Sequence, residues 1–428
     1  MMIEAERKAL FEAFLATMRE EKAIFCILDG YKEEHLSSDV DFMVTPEDFR
    51  RLPEILKKLE AKTGGRILQA LQHESQSCYY VLAKNSQNAE AGWAFLHLDA
   101  CANYRIRGKR WLSAKEVLRS VHERDGIPVP AVEDAFRYYL IKKIQKEKLE
   151  RTHWSYLRSL YEKAPTACLA RVRDTFSVQK VAFLADCLAA DDYEGFLAQL
   201  GEWKRGMKKA FHFPDFLRAI RRVSRPTGLF VVFLGPDGSG KSSVIRRVES
   251  ALAPAFRKTF TAHLKPGLCC RRRTSVMDAT RPHAQASYGP VASLGKLFFF
   301  WLDYALGFWR RIFPRLVRST LVLYDRYYPD ILVDPRRYRY GGPSFLAEAL
   351  GNLLPRPDLW ILLDAPTEVL QERKQEVSPD ETTRQRARYR RLIRSLGGHV
   401  VSAAQPLDAV VAEVSLLIAD HLEQRFRS

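Results

Sequence analysis

Disulfide chemistry is the first thing this chain lacks. Its seven cysteines (Cys26, Cys78, Cys101, Cys168, Cys187, Cys269 and Cys270) are scattered, odd in number and without a CxxC pair. That pattern excludes a disulfide framework or a zinc site and predicts reduced thiols in a cytoplasmic protein. Long apolar runs are also missing. The greasiest stretch, Leu297–Trp309, is interrupted by Asp303 and falls well short of the roughly 20 residues a bilayer span needs. Met1–Arg19 mixes charges among its apolar residues, unlike the core of a secretory signal. No internal repeat, low-complexity tract or recognisable nucleic-acid motif is present. Acid is the scarce charge: 51 Asp and Glu stand against 68 Lys and Arg, a formal +17. Lys265–Tyr340 alone holds fourteen basic residues and five acids. Such a balance favours anionic partners: nucleotides, phosphorylated acceptors, nucleic acid or an acidic membrane face.

What is present divides into three stretches. At 428 residues the chain exceeds one ordinary core, so two or three domains are expected. Residues 1–130 alternate helical and extended patterns: a helix over Ile3–Glu20, a strand over Ala23–Leu28, a glycine turn, a strand over Asp39–Val44 and a helix near Pro46–Ala61. Extended runs follow near Arg66–Gln72, Cys78–Ala83 and Trp93–Asp99. Gly126-Ile-Pro-Val-Pro130 breaks the pattern and predicts a boundary. Residues 131–226 read as a helical segment with a strongly basic end, Lys204–Arg225. Residues 227–428 carry short buried runs at Leu229–Leu234, Phe260–Leu264, Thr320–Tyr324, Leu359–Leu363 and Val400–Ser402, separated by helices. Strands that are apolar on both faces predict a parallel sheet covered by helices on each side. The fold class is therefore α/β.

The strongest motif is Gly235-Pro-Asp-Gly-Ser-Gly-Lys-Ser242, placed between an apolar strand and the helix Ser243–Leu252. Its glycines let backbone N–H groups close around phosphates, and the helix N-terminus favours negative charge. The expected phosphate-binding set is Gly235, Asp237, Gly238, Ser239, Gly240, Lys241, Ser242 and Ser243. In this arrangement Lys241 reaches the outer phosphates of ATP and Ser242 ligates Mg²⁺. Asp325 ends an apolar strand, at the sheet edge where ligands of open α/β sheets bind. A carboxylate there can hold the metal or act on an acceptor hydroxyl. The neighbouring Arg326 can neutralise the transferred group. Tyrosines and the three arginines Arg336, Arg337 and Arg339 then form a segment suited to a phosphorylated or polyhydroxylated acceptor.

These motifs together resemble the thymidylate kinase family. The phosphate loop with Asp237, then Val322-Leu-Tyr-Asp-Arg-Tyr327, then Pro357-Asp-Leu-Trp-Ile-Leu-Leu-Asp-Ala-Pro366 with Glu372-Arg-Lys374, occur in that family's order over Leu229–Ile418. The resemblance implies a five-stranded parallel sheet, Asp325 and Arg326 at the transfer site, and a lid whose arginines (Arg373, Arg384, Arg388) include a catalytic one, for which Arg373 is the choice. It breaks where the acceptor would sit. Tyr304 occupies the place where that family carries an Arg gripping the nucleotide's phosphate. The acceptor-binding set expected here is Asp237, Tyr304, Arg336, Arg337 and Arg339.

The first stretch carries Ile27-Leu-Asp-Gly30, Asp39-Val-Asp41 and Asp99. Carboxylates at i and i+2 of a strand share a face, and a third from a neighbouring strand can complete a divalent-metal site. The order resembles the minimal nucleotidyltransferase superfamily, although Tyr31 replaces its usual Gly or Ser. Asp39, Asp41 and Asp99 are thus expected metal ligands, in a domain either active or serving as scaffold. The leading expectation is an ATP- and Mg²⁺-dependent kinase acting on a sugar, sugar phosphate or glycan of polysaccharide synthesis, as in the bacterial surface-polysaccharide-associated thymidylate-kinase-like proteins that this motif set resembles. Its alternatives are a dTMP kinase and a nucleotide-regulated binding protein with a phosphate-loop switch.

Overall fold

The computed structural model describes residues 2–32, 35–85, 92–106, 108–207, 211–264, 288–375 and 377–427. Much of the basic run starting at Lys265, including Cys269 and Cys270, lies outside the described residues. The chain forms two compact units, Met1–Asn85 with Ala94–Ile220, and Ser86–Trp93 with Arg221–Ser428.

The first unit opens with helix α1 (Met2–Glu20), strands β1 (Phe25–Lys32) and β2 (His35–Val44), helix α2 (Pro46–Thr63), and strands β3 (Arg66–Glu74), β4 (Ser77–Asn85) and β5 (Trp93–Cys101). The sheet order is β1-β2-β5-β4-β3. Pairing is antiparallel for β1/β2 and β3/β4 and parallel for β2/β5. The expected glycine turn after Leu28 is a bulge inside β1. Register slips between Ile27 and Asp29 and again between Asp29 and Tyr31. Gly30 takes φ +99°, and a Cβ there would lie 2.2 Å from the Asp39 carbonyl oxygen, so only glycine fits. Helices α3 (Val132–Lys146), α4 (Arg151–Lys163), α5 (Pro165–Arg173), α6 (Val178–Ala190) and α7 (Tyr193–Arg205) follow, then α8 (Phe213–Ser224). Helices α3 to α7 share one hydrophobic cluster with the sheet: Cys26, Leu28, Met43 and Cys101 pack with Phe136, Trp154, Phe196 and Trp203. The helical segment therefore has no core separate from that of the strands.

The second unit is a parallel sheet ordered β7-β8-β6-β9-β10, built from β6 (Leu229–Leu234), β7 (Lys258–His263), β8 (Thr320–Asp325), β9 (Leu359–Asp364) and β10 (His399–Ser402). Every residue of β6, β8 and β9 is buried, as strands covered on both faces require. From β6 the chain crosses to the edge strand β7, returns to β8 beside β6, and then passes to β9 and β10 on the other side. The carboxyl end of β6 is therefore the switch point at which open α/β sheets form a crevice. Around it lie α9 (Lys241–Leu252), α10 (Pro290–Gly307), α11 (Ser344–Asn352), α12 (Thr367–Arg373), α13 (Pro379–Leu396) and α14 (Leu407–Arg427). Helix α10 continues through a π turn to Val317, giving 28 helical residues that include an 18-residue window of mean hydropathy 1.3, long and apolar enough to cross a membrane by length and composition alone. This run is longer than the sequence pattern suggested, because the turn at Phe308–Ile312 carries the helix past Trp309. Leu297, Phe300, Tyr304, Phe308 and Ile312 of this run are buried in the core.

Candidate active site

The all-apolar β6 delivers the chain to Gly235, whose φ of +146° and position against the Leu363 carbonyl leave no room for a side chain: a Cβ would lie 2.4 Å away. Gly238 (φ +79°) is also confined, since a Cβ there would lie 2.8 Å from the Leu370 carbonyl oxygen. The loop is thereby wedged between β9 and α12, and Gly240 caps the start of α9. Lys241 and Ser239 are buried. The Lys241 ammonium donates to the carbonyls of Gly235 and Pro236, both at 2.8 Å, and to Ser239 Oγ at 3.3 Å. Burial, and then the nearby Arg326 cation, pull its pKa down to about 8.

Across the loop, Ser242 Oγ donates to Asp325 Oδ2 at 3.2 Å. Asp325 is 7% exposed, and its Oδ1 is buried with no hydrogen-bond partner among the described residues. His263 Nε2 stands 4.0 Å from Oδ2. A hydroxyl and a carboxylate with a spare buried oxygen form a hard-oxygen donor pair, which fits Mg²⁺.

Arg326 takes φ +71°, and its guanidinium is divided among three partners. Nη1 donates to Asp330 Oδ2 (2.8 Å) and Tyr389 Oη (3.0 Å), and Nη2 to Asp237 Oδ1 (2.6 Å). Asp330 is fully buried and also accepts from Tyr338 (2.7 Å) and Tyr389. Burial opposes its charge, but Arg326 and the two phenols hold its carboxyl below the usual range. Arg337 completes the chain by donating to the other oxygen of Asp237 and to Asp334. The network therefore joins Asp237, Arg326 and Arg337, and Arg326 is committed to holding the loop's aspartate.

Other expected residues lie elsewhere. Tyr304 is a core residue. It is wholly buried among Phe300, Tyr327 and Tyr328, and its hydroxyl is given to the Leu264 carbonyl. The expectation that it faces an acceptor is corrected, because an aromatic on that side of α10 is drawn into the core. Arg339 lies over the Tyr288 ring at 4.0 Å, while Arg336 is exposed. Arg373 donates to the Ala403 carbonyl at 2.9 Å, Arg388 donates to that of Val333, and Arg384 is largely solvated beside Glu381. The arginines of α13 that do reach a strand end are Arg386 and Arg390, both on Asp364. Sequence reasoning passed over these two and over Asp330. The available signal for Asp330 was its place four residues after Arg326.

In the first unit, register places Asp41 opposite Asp99 and Asp39 opposite His97. Among the described residues no group of three metal-ligating side chains occurs. Lys142 of α3 supplies the positive charge, with its ammonium 2.9 Å from Asp29 and in contact with Asp41. Burial works against that ammonium, yet Asp41 and Asp29 hold its pKa above the ordinary value. The His97 hydrogen bond lowers Asp39, whereas burial and then Asp41 push Asp99 up to about 8. Tyr31 stacks on Phe11.

Comparison with known proteins bears on the second unit. Residues 233–414 match the family model described as thymidylate kinase. A thymidylate kinase of Xanthomonas campestris pv. campestris is 26% identical over 209 residues, covering 47% of this chain and 88% of the relative. One from Thermomicrobium roseum is 30% identical over 148 residues, covering 33% and 64% respectively. A solved thymidylate kinase structure from Ehrlichia chaffeensis aligns at 21% identity and a TM-score of 0.33, covering 45% of this chain and 98% of that one. The C-terminal half of the chain carries a thymidylate kinase-like domain, with Lys241, Ser242, Asp325 and Arg326 all inside the matched residues.

Proposed function

We propose that residues 227–428 form an ATP-dependent phosphotransferase domain whose acceptor is a sugar, sugar phosphate or glycan. The observation that carries the reading is the meeting of Lys241, Ser242 and Asp325 at the sheet's switch point. Lys241 rests on its own loop's carbonyls and is placed to exchange them for phosphate oxygens. Ser242 and Asp325 would hold Mg²⁺, which when bound neutralises charge on the phosphates. Asp325 can also accept the acceptor hydroxyl's proton, and Asp237, fixed on both oxygens by Arg326 and Arg337, can receive hydrogen bonds from that acceptor. Arg336 and the Arg339–Tyr288 stack offer a guanidinium and an aromatic face suited to a phosphorylated sugar.

The relatives' names favour a second reading, dTMP kinase. Against it stands the sequence position that resembles that family's phosphate-gripping Arg, which here is Tyr304, turned into the core. Residues 1–130 we read as a nucleotidyltransferase-like binding domain without transfer activity, joined through residues 131–226, because Lys142 supplies charge where a catalytic cation would act. Mass spectrometry of ATP incubations with a panel of nucleotides, sugars and glycans tests the assignment. A phosphorylated sugar or glycan, with little dTDP, is the expected result. Efficient dTDP formation at micromolar dTMP would replace it by the second reading, and ATP hydrolysis without acceptor would replace both by a switch.

A further inference from the structure

Helix α8 is built the wrong way round for a surface helix. Surface helices ordinarily turn their apolar stripe to the core. Here Phe213, Phe216, Leu217, Ile220 and Val223, one stripe at i, i+3, i+4, i+7 and i+10, are 57%, 52%, 48%, 51% and 51% exposed. Phe211, just ahead, is 82% exposed, and no residue of the helix is buried. The opposite side makes the attachments. In the first unit Asp215 accepts from Ser75 N at 2.6 Å and Arg218 donates to the Gln72 carbonyl at 3.2 Å. Polar bonds therefore hold the helix by one side while five large apolar side chains face outward.

We propose that α8 lies on an anionic lipid bilayer. A helix with aromatic and aliphatic residues on one side and arginines on the other, strongly two-sided yet of low overall hydrophobicity, is the form that settles in the headgroup–acyl boundary. Charge selects the partner. Lys204–Arg225 holds eight Lys and Arg against one Asp, and Arg221 and Arg225, at the end of the helix, are exposed. A second copy of the chain would bring the same cations against these, so self-association through this face is opposed. Free nucleic acid would leave the apolar stripe in water. Acidic headgroups over acyl chains satisfy both halves of the pattern.

The test is flotation of the full-length chain with vesicles of phosphatidylcholine plus phosphatidylserine, and with phosphatidylcholine alone. The chain should partition onto the anionic vesicles and much less onto the neutral ones, with binding falling as salt rises. Phe216→Glu with Leu217→Glu should cut partitioning at least ~10-fold by taking the stripe out of the boundary. Arg221→Glu with Arg225→Glu should cut it at least ~25-fold, at about fivefold per basic residue near an acidic surface. Both double variants should keep the parent's melting temperature and phosphotransfer rate, because the altered side chains face solvent. The proposal is overturned by absence from anionic vesicles, by equal binding to both vesicle types, or by undiminished binding of the first double variant. A concentration-dependent dimer that this variant dissolves would instead assign the stripe to a second copy.

Discussion

Replacing Asp330 with Asn isolates the energetics of the network under the phosphate loop. The carboxylate is wholly buried and takes bonds from Arg326, Tyr338 and Tyr389. An amide of the same shape keeps at most one good acceptor and turns an N–H group toward the guanidinium. Removing one partner of a buried ion pair costs about 3–5 kcal/mol. Arg326 keeps Asp237, so the lower end, about 3 kcal/mol, applies. For a unit of roughly 200 residues each kcal/mol shifts melting by about 2–4 °C, so the second unit should melt ~6–12 °C lower. Tyr338→Phe, which removes one hydrogen bond to the same carboxylate, should cost only about 1 kcal/mol. Thermal unfolding of the full-length chain followed by calorimetry gives both values. The acid limb offers an independent check. The folded carboxyl lies below its unfolded value of about 3.9, so its contribution is complete above that pH and is lost as pH falls through the folded value. Asp330→Asn should flatten that loss. If the variant melts within a degree or two of the parent, Arg326 is not sustained by this ion pair and the account of the network fails.

Lys241→Ala should abolish phosphotransfer with little change in melting, since the glycines still shape the loop; a variant with parental turnover would refute the assignment. Asp325→Asn should slow turnover at least ~10²-fold while nucleotide binding weakens much less, measured by steady-state kinetics beside equilibrium binding. In the first unit, Asp99 is raised to about 8, so the folded state holds a proton that the unfolded chain releases near 3.9. Stability from this group is complete below the unfolded value and declines as pH rises toward 8. Asp99→Asn should remove that decline, and a parental pH profile of melting in the variant would show that Asp99 ionises normally.

The second unit was legible because each of its features is local. A six-residue apolar run, a glycine loop and a helix can be read without knowing what surrounds them, and Asp325 follows from the strand it terminates. What escaped depends on distant partners. Asp330 matters through Tyr389, 59 residues away, and no pattern near Asp330 announces that. Tyr304 was assigned by analogy of position, but the packing of α10 against β8 and its neighbours decided its place. In the first unit the alternation put Asp39, Asp41 and Asp99 on strands whose register does align them. The cation meeting them is a lysine from α3, 101 positions beyond Asp41, which spacing within the strands could not reveal.

Lys241 has one further consequence, for the proton balance of the nucleotide's arrival. With its pKa near 8, the ammonium is partly neutral in mildly alkaline solution while it rests on Gly235 and Pro236. A polyanion placed beside it favours the charged form and lifts that value. Binding at pH 8 and above should then draw a proton from the buffer, and the heat measured by calorimetry should change with the buffer's own ionisation enthalpy. The phosphate loop would act as a small acid–base exchanger, its affinity falling in alkali although no phosphate oxygen changes charge there.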